Sequence, residues 1–535
     1  MNPRRTKWLI LGYIRRHRVI LSGLTTFLLL ALLIGRYFGL PIESLLAESF
    51  THTRFVEGLI GPVNSINPLF VSSDSEKDLS RLVFRGLTQT DVSGVTQGDL
   101  AASWDVDPSG KEYIFHLKPN QKFQTGQTVT ADDVAYTYQL AKDRKYGSSL
   151  ALTFKDLEVQ ALDGTTVLFH LHDSFSPLLS LTDLGILPQD QIKHQLDRGV
   201  DLAKVNLNGL GSTDFKLVSL SSDSITLVRD QAKYSFRIYR SESDLRTALK
   251  LGEIETAAFT ENPNLVGWGN FHVLSSSMYR RFVGVFYNER GGVTADRSVR
   301  QALSLAIDKD KLLNQTNGTV GERAYSPIPP TSWAKSESPR RYDYDPAAAK
   351  ANLEKSGWDG GPIRSRGSQT LEVSLSYPDS PQYQAIANQV AVDWGNIGVR
   401  ALLNPLDVTT FQTKVIGAKS FQAAIFTEEI GSDPDQYVLW HSTQKDAANI
   451  TGVSLPKLDK TLEDGRKTVS QSERISKYLD FQRFFLDEAP VTMLYYPKLV
   501  YVISNKVYGV SLPPLGVPSD RFSNILDWKI KKTIF

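Results

Sequence analysis

The 535-residue chain is too long for one hydrophobic core, since cores stop growing at roughly 250–300 residues and longer chains divide into domains. Its 41% apolar and 22% charged composition is that of a globular protein, and 60 basic against 58 acidic residues leave a net charge of +2, with no field that would draw nucleic acid. No cysteine occurs, which excludes disulfides, thiolate metal sites, cysteine nucleophiles and the lipidated cysteine of a bacterial lipoprotein.

In chain order the first feature is an apolar run over 19–34, extendable to residue 40 by snorkelling of Arg36. Arg4, Arg5, Lys7, Arg15, Arg16 and Arg18 precede it. The positive-inside rule therefore predicts a cytoplasmic basic tail over 1–18, one transmembrane anchor over 19–40 and an extracytoplasmic body. A cleaved signal peptide is the competing reading, with Leu45-Leu46-Ala47 a poor cleavage site because leucine stands where a small residue is needed. From His52 onward no stretch reaches bilayer-spanning length.

The body alternates strands and helices. A strand over 112–117 is followed by a helix to about Lys142, with Thr130 as cap, Asp133 at its third position, and Val134 and Tyr138 on its apolar stripe. Strands follow over 166–171 and 224–228. A helix from Asp296 spaces Val299, Leu303, Ala306 and Ile307 at three to four, and the next has Asp345 as cap, Pro346 in its first turn and Gly357 past its end. After a strand over 371–376, a helix carries Tyr383, Ile386, Val390, Trp394 and Ile397 before Gly398. A strand over 423–427 precedes a last helix with Ile475, Leu479 and Leu486 on its stripe, stopped by Ala489-Pro490.

No catalytic motif emerges: there is no G-x-S-x-G elbow, H-E-x-x-H helix, Walker loop or complete G-x-G-x-x-G fingerprint, and Gly209-Leu210-Gly211 lacks the third glycine. The closest histidine pair, His170 and His172, shares one face of a strand, where a solvated surface is the simpler reading than two metal ligands. An enzyme is not expected, nor a cofactor or metal.

The ordered motifs are more specific. Ser65-Ile66-Asn67-Pro68-Leu69 and Leu82-Val83-Phe84-Arg85-Gly86-Leu87 are followed by Leu100-Ala101-Ala102-Ser103-Trp104, Tyr113-Ile114-Phe115-His116-Leu117-Lys118, Lys122-Phe123 with Gly126, and Val129-Thr130-Ala131-Asp132-Asp133-Val134. Further on stand Gly252-Glu253-Ile254-Glu255, Val299-Arg300-Gln301-Ala302-Leu303 with Ala306-Ile307-Asp308, and Lys355-Ser356-Gly357-Trp358. This succession resembles the peptide/nickel family of ABC-importer substrate-binding proteins, extracellular solute-binding protein family 5, and covers all but the first fifty residues. Arg85 departs from the family's usual glutamate, and Gly209 to Phe215 departs from its G-T-G-P-Y turn.

The resemblance implies an α/β, two-lobed periplasmic-binding-protein-like fold of type II. Residues 52–90, 209–283 and 500–535 would form lobe I, 91–208 a small domain inserted in it, and 284–499 lobe II. It implies a monomer that closes on a short peptide by hinge motion and delivers it to ABC permease and ATPase subunits, with no nucleic acid partner. A nickel chelate, haem or an oligosaccharide is the alternative cargo. By alignment, Ser72, Ser73 and Asp74 would offer one backbone edge to the ligand and Ile425, Phe426 and Thr427 the other. Glu429 would pair with the ligand ammonium, and Phe426, Tyr495 and Tyr496 would wall the cleft.

Overall fold

The computed structural model describes residues 54–265, 267–315 and 321–530; the expected tail and anchor over 1–40 lie outside them. Three main sheets organise the chain. The first has seven strands, in the order Phe271–Ser277, Lys498–Ser504, Thr256–Phe259, Arg54–Ile60, Ala232–Tyr239, Ser224–Arg229 and Lys216–Leu220. The second has six, in the order Glu322–Arg323, Val491–Tyr496, Arg281–Tyr287, Ala423–Glu429, Glu372–Pro378 and Arg400–Leu406. A separate four-stranded antiparallel sheet, Ala101–Val106, Glu112–Leu117, Thr166–Leu171 and Leu157–Ala161, is inserted within the first sheet in sequence, between its strands Arg54–Ile60 and Lys216–Leu220.

The second sheet is apolar on both faces because helices cover both. One face packs Val285, Val373 and Ile425 under Leu303, Val390 and Trp394, from helices Arg297–Ala306 and Pro381–Gly395. The other packs Phe282, Phe286 and Phe426 against Leu458, Tyr478 and Phe485, from helices Pro456–Lys467 and Gln471–Glu488. Gly284 is needed at the centre, where a Cβ would stand 2.7 Å from Val491 Cγ1 at the register shift beside Val283.

Local signals set the helix ends. Thr130 and Asp133 form a reciprocal capping box on Ala131–Lys142, and Asp345 accepts from Ala348 N at the start of Pro346–Lys355. The last long helix buries Leu486 as expected but differs elsewhere from the expected stripe: Leu479 is 39% exposed, and the rest of the buried face is Arg474, Tyr478, Phe481, Gln482 and Phe485. The arginine and glutamine can be inside because each is fully engaged. Arg474 pairs with Asp433 at 2.6 Å, and Gln482 bonds Ser326 Oγ at 2.8 Å and the Ala334 carbonyl at 2.9 Å.

The chain crosses between the two large sheets twice, at Met278 to Arg280 and at Pro497. The crossings touch, with Met278 N donating to the Pro497 carbonyl at 2.8 Å. Arg281 to Val283 thus belong to the second sheet and Lys498 and Leu499 to the first, a few residues from the borders expected at 283 and 499. The remodelled turn at Gly209 packs on the end of helix Asp74–Val83: Ser212 N donates to the Val83 carbonyl at 2.9 Å, and its Oγ accepts from Arg85 N at 2.8 Å. Arg85 is no bare surface residue, since its guanidinium holds Asp99 at 2.6 Å.

Candidate functional site: the cleft between the lobes

Helix Asp74–Val83 begins where Ser73 caps it, with Glu76 completing a capping box. Its residues Asp74, Lys77, Asp78 and Arg81, at i, i+3, i+4 and i+7, line one wall of a cavity of about 410 Å³. The opposite wall comes from the second lobe: Arg281 and the Glu429 to Ser432 segment. A second cavity, of about 650 Å³, lies between the small sheet's domain and the second lobe, lined by Phe175, Leu178, Tyr437 and Arg466; Leu181 borders both.

The lobes touch around these cavities. Arg281 reaches Asp74 with two nitrogens, at 2.8 and 2.5 Å, and Glu429 at 2.7 Å, while Lys77 meets Glu429 at 3.2 Å. Burial works to raise the Asp74 carboxyl, but its bonds to Arg281 outweigh that and hold it below the ordinary value. Farther along, Ser174 and Ser176 donate to the carbonyls of Lys467 and Thr468 at 2.7 and 2.5 Å. The Arg466 guanidinium lies over the rings of Tyr437 and Phe175, at 4.0 and 5.1 Å.

The strand Ala423–Glu429 supplies an open edge. On one side it pairs with Arg281–Tyr287 along its whole length. On the other, Glu372–Pro378 pairs with it only at Ala423 and Ala424, so Ile425 to Glu429 have no strand neighbour there. Thr427 Oγ1 lies 2.8 Å from Tyr383 Oη on helix Pro381–Gly395. Beside this edge, burial pushes the Glu428 carboxyl up to about 7.

Several expected roles change. Ser72 and Ser73 present no free β edge, because their amides already donate to Glu76 Oε2 at 2.9 and 3.2 Å and Asp74 is helical. Asp74 enters the site through its side chain instead. The backbone edge expected of Ile425, Phe426 and Thr427 is the open one just described; the Ile425 side chain is core, and Phe426 stacks on Phe286 at 4.0 Å between centroids rather than walling the cleft. Tyr495 and Tyr496, 0% and 1% exposed, are also core; Tyr495 accepts from Gln382 at 3.0 Å and Tyr496 donates to the Ser326 carbonyl at 3.2 Å. Glu429 does reach the cleft, but with its charge already met by Arg281 and Lys77. The charged wall of helix Asp74–Val83 was missed, although its i, i+3, i+4, i+7 charges are visible in the sequence; nothing local marked Arg281.

Two lobes joined by a paired crossing, with cavities and reciprocal contacts between them, define a two-lobed binding protein that encloses a solute by hinge motion. The chain belongs to the Bacterial extracellular solute-binding proteins, family 5 Middle, whose model matches residues 96–449, as the motifs indicated. It is 24% identical over 487 residues to the oligopeptide-binding protein AppA of Bacillus subtilis (strain 168), covering 86% of this chain and 89% of that protein. The structure of Bacillus subtilis AppA in complex with a nonapeptide matches it with a TM-score of 0.71 at 23% identity, over 90% of this chain and 99% of the other. NikZ of Campylobacter jejuni, in complex with Ni(L-His), matches with a TM-score of 0.74 at 23% identity, over 89% and 99%.

Proposed function

We propose that this protein is the extracytoplasmic substrate-binding component of an ABC importer, a monomer that captures short peptides between its lobes and passes them to permease and ATPase subunits. It acts by binding rather than catalysis, and the apolar segment 19–40 tethers it to the membrane. The observation that carries the peptide reading is the one-sided edge of Ala423–Glu429, whose end lines the interlobe cavity. An extended peptide can add main-chain hydrogen bonds along such an edge whatever its side chains are, which gives affinity without sequence specificity. The relatives named for oligopeptides support the same reading.

The test is thermal unfolding of the protein stripped of ligand by reversible denaturation. A ligand that binds only the folded state adds about 2.7 kcal/mol at one hundred times its Kd, so di- to pentapeptides are expected to raise the midpoint. A rise with Ni(L-His), haem or oligosaccharides and none with peptides would replace the cargo while leaving the transport role.

Glu429 acts in this reading as the second-lobe anchor of the charge network. Its side chain is 42% exposed, so water compensates part of any loss. Glu429→Gln is expected to cost about 1 kcal/mol of closure, roughly a fivefold rise in peptide Kd, with the unfolding midpoint of the free protein unchanged. Calorimetry giving the wild-type Kd would remove Glu429 from the site.

A further inference from the structure

A hairpin that leaves the first lobe reaches past the crossings to the second. Its strands, Thr88–Thr90 and Thr96–Gly98, pair antiparallel. Its root is held on the first-lobe side, where Thr88 N donates to the Thr182 carbonyl at 3.1 Å and the neighbouring Asp99 pairs with Arg85. The tip is rigid. Asp91 Oδ1 accepts from Ser93 N at 2.9 Å, Ser93 Oγ at 2.6 Å and Val95 N at 3.0 Å, and Gly94 N donates to the Asp91 carbonyl at 3.1 Å. This tip rests on the second lobe. Trp333 N donates to the Ser93 carbonyl at 3.0 Å, and at Gly94, whose φ is +82°, a Cβ would stand 2.6 Å from the Ser432 carbonyl oxygen. Only glycine lets the two backbones come so close.

The receiving surface is built in advance. Arg474, 6% exposed, pairs with Asp433 at 2.6 Å, donates to Tyr478 Oη at 2.9 Å and lies 5.2 Å from the centre of the Trp333 ring. One buried cation thus ties together the two segments on which the tip lands, and Trp333 also meets the Tyr478 ring edge-on, 6.0 Å between centroids. The hairpin is fastened to the pivot as well. Arg280, in the first crossing, donates from Nη2 to the Asp91 and Thr90 carbonyls at 2.7 and 3.3 Å, and its own carbonyl accepts from Ile430 N at 2.9 Å. Ile430 directly follows the open edge that ends at Glu429, and Ser432 stands two residues farther on. The open edge of the cleft, the crossing and the hairpin tip therefore meet in the segment from Glu429 to Ser432, which also lines the 410 Å³ cavity.

We propose that the hairpin Thr88–Gly98 is a latch on the cleft: Ser93 and Gly94 dock on Trp333 and Ser432 when the lobes close and leave them when the lobes open, so that solute enters and departs only with the tip released. The root of the hairpin moves with the first lobe, whereas Trp333 packs on the second lobe's core, so rotation about the crossings parts the two surfaces. Both contacts are between backbones and take no part in choosing the cargo. The latch requires hinge closure alone, whether the solute is a peptide or another. Because Ser432 stands on the cavity wall, a solute that orders this segment also orders the landing place of the tip, which couples latching to occupancy.

The experiment exploits the absence of cysteine: Ser93→Cys with Ser432→Cys gives the chain its only two thiols, which bismaleimidoethane bridges across the closed latch. Bridging is expected to slow both association and dissociation of Ala-Ala-Ala about tenfold or more relative to the unbridged double variant, measured by stopped flow. Equal rates before and after bridging overturn the inference, because the tip then stays docked while the cleft opens. If Ala-Ala-Ala does not bind the wild type, the peptide reading fails separately, and X-ray scattering of the solute-free protein decides. Bridging lowers the radius of gyration if the free protein spends time open, and Asp91→Ala, which loosens the tip without touching the second lobe, raises it if the free protein is held closed. Neither change overturns the latch. Should the double variant not fold, Asp91→Ala decides alone: faster release of Ala-Ala-Ala or a larger radius supports the latch, and wild-type values of both overturn it.

Discussion

Arg521→Leu is expected to destabilise the protein by about 3–5 kcal/mol, the largest effect of any single change considered, and to lower the unfolding midpoint by roughly 5–10 °C. The arginine is 1% exposed and is the cation between Glu57, 0% exposed, and Asp78, 3% exposed. Removing it leaves two carboxylates facing each other without a counter-charge, the situation in which breaking a buried pair costs most. Leucine fills much of the volume and keeps contact with the Phe522 ring, over which the guanidinium lies at 4.1 Å, so loss of packing contributes little. Asp78 can escape by taking up a proton. Burial already holds Asp78 near 6, and loss of the guanidinium raises it further. With its folded value above the unfolded one, the folded state binds the extra proton, so the variant regains stability as pH falls from 7 toward 4. Thermal unfolding across that range checks both statements; a midpoint within about 1 °C of wild type at pH 7 would mean that the charges are not buried as described.

The features legible in the sequence are those whose cause is local. Thr130 and Asp133 sit three apart, so their capping box can be read without knowing the fold, as can Asp345-Pro346 with Gly357 at the other end. The family motifs were legible for the same reason: each is a short run. The expected stripe of the last helix holds at Leu486 but fails at Leu479, because periodicity treats apolar residues as the buried ones, whereas here Arg474 and Gln482 lie inside, satisfied by Asp433, Ser326 and the Ala334 carbonyl. The site failed in a comparable way. Tyr495 and Tyr496 looked like cleft walls by residue type, but a tyrosine whose hydroxyl finds a partner inside is ordinary core. The Glu57–Arg521 contact spans 464 positions and the Asp74–Arg281 contact 207, distances over which one sequence carries no pairing signal.

Arg281→Ala is expected to weaken peptide binding about tenfold while moving the unfolding midpoint little, because the residue joins the lobes more than it supports either. Its side chain is 15% exposed, and it bridges Asp74 on the first lobe with Glu429 on the second. Burial works to lower the arginine's proton affinity, but the two carboxylates more than reverse this, so the arginine keeps its positive charge at any working pH. The carboxylates are each 42% exposed and recover hydration when the arginine is lost, which discounts the cost to about 1–2 kcal/mol. That amount falls on the closed form alone, since opening separates Arg281 from Asp74, and 1.4 kcal/mol is a tenfold shift in the fraction competent to hold ligand. X-ray scattering of the peptide-free protein checks this independently of ligand: Arg281→Ala should show a larger radius of gyration than wild type, and Asp74→Asn, which removes one arm of the same bridge, a smaller increase. If both variants scatter as wild type and bind peptide equally well, the bridge does not set the closing equilibrium, and closure rests on the Ser174 and Ser176 contacts at the far end of the cleft.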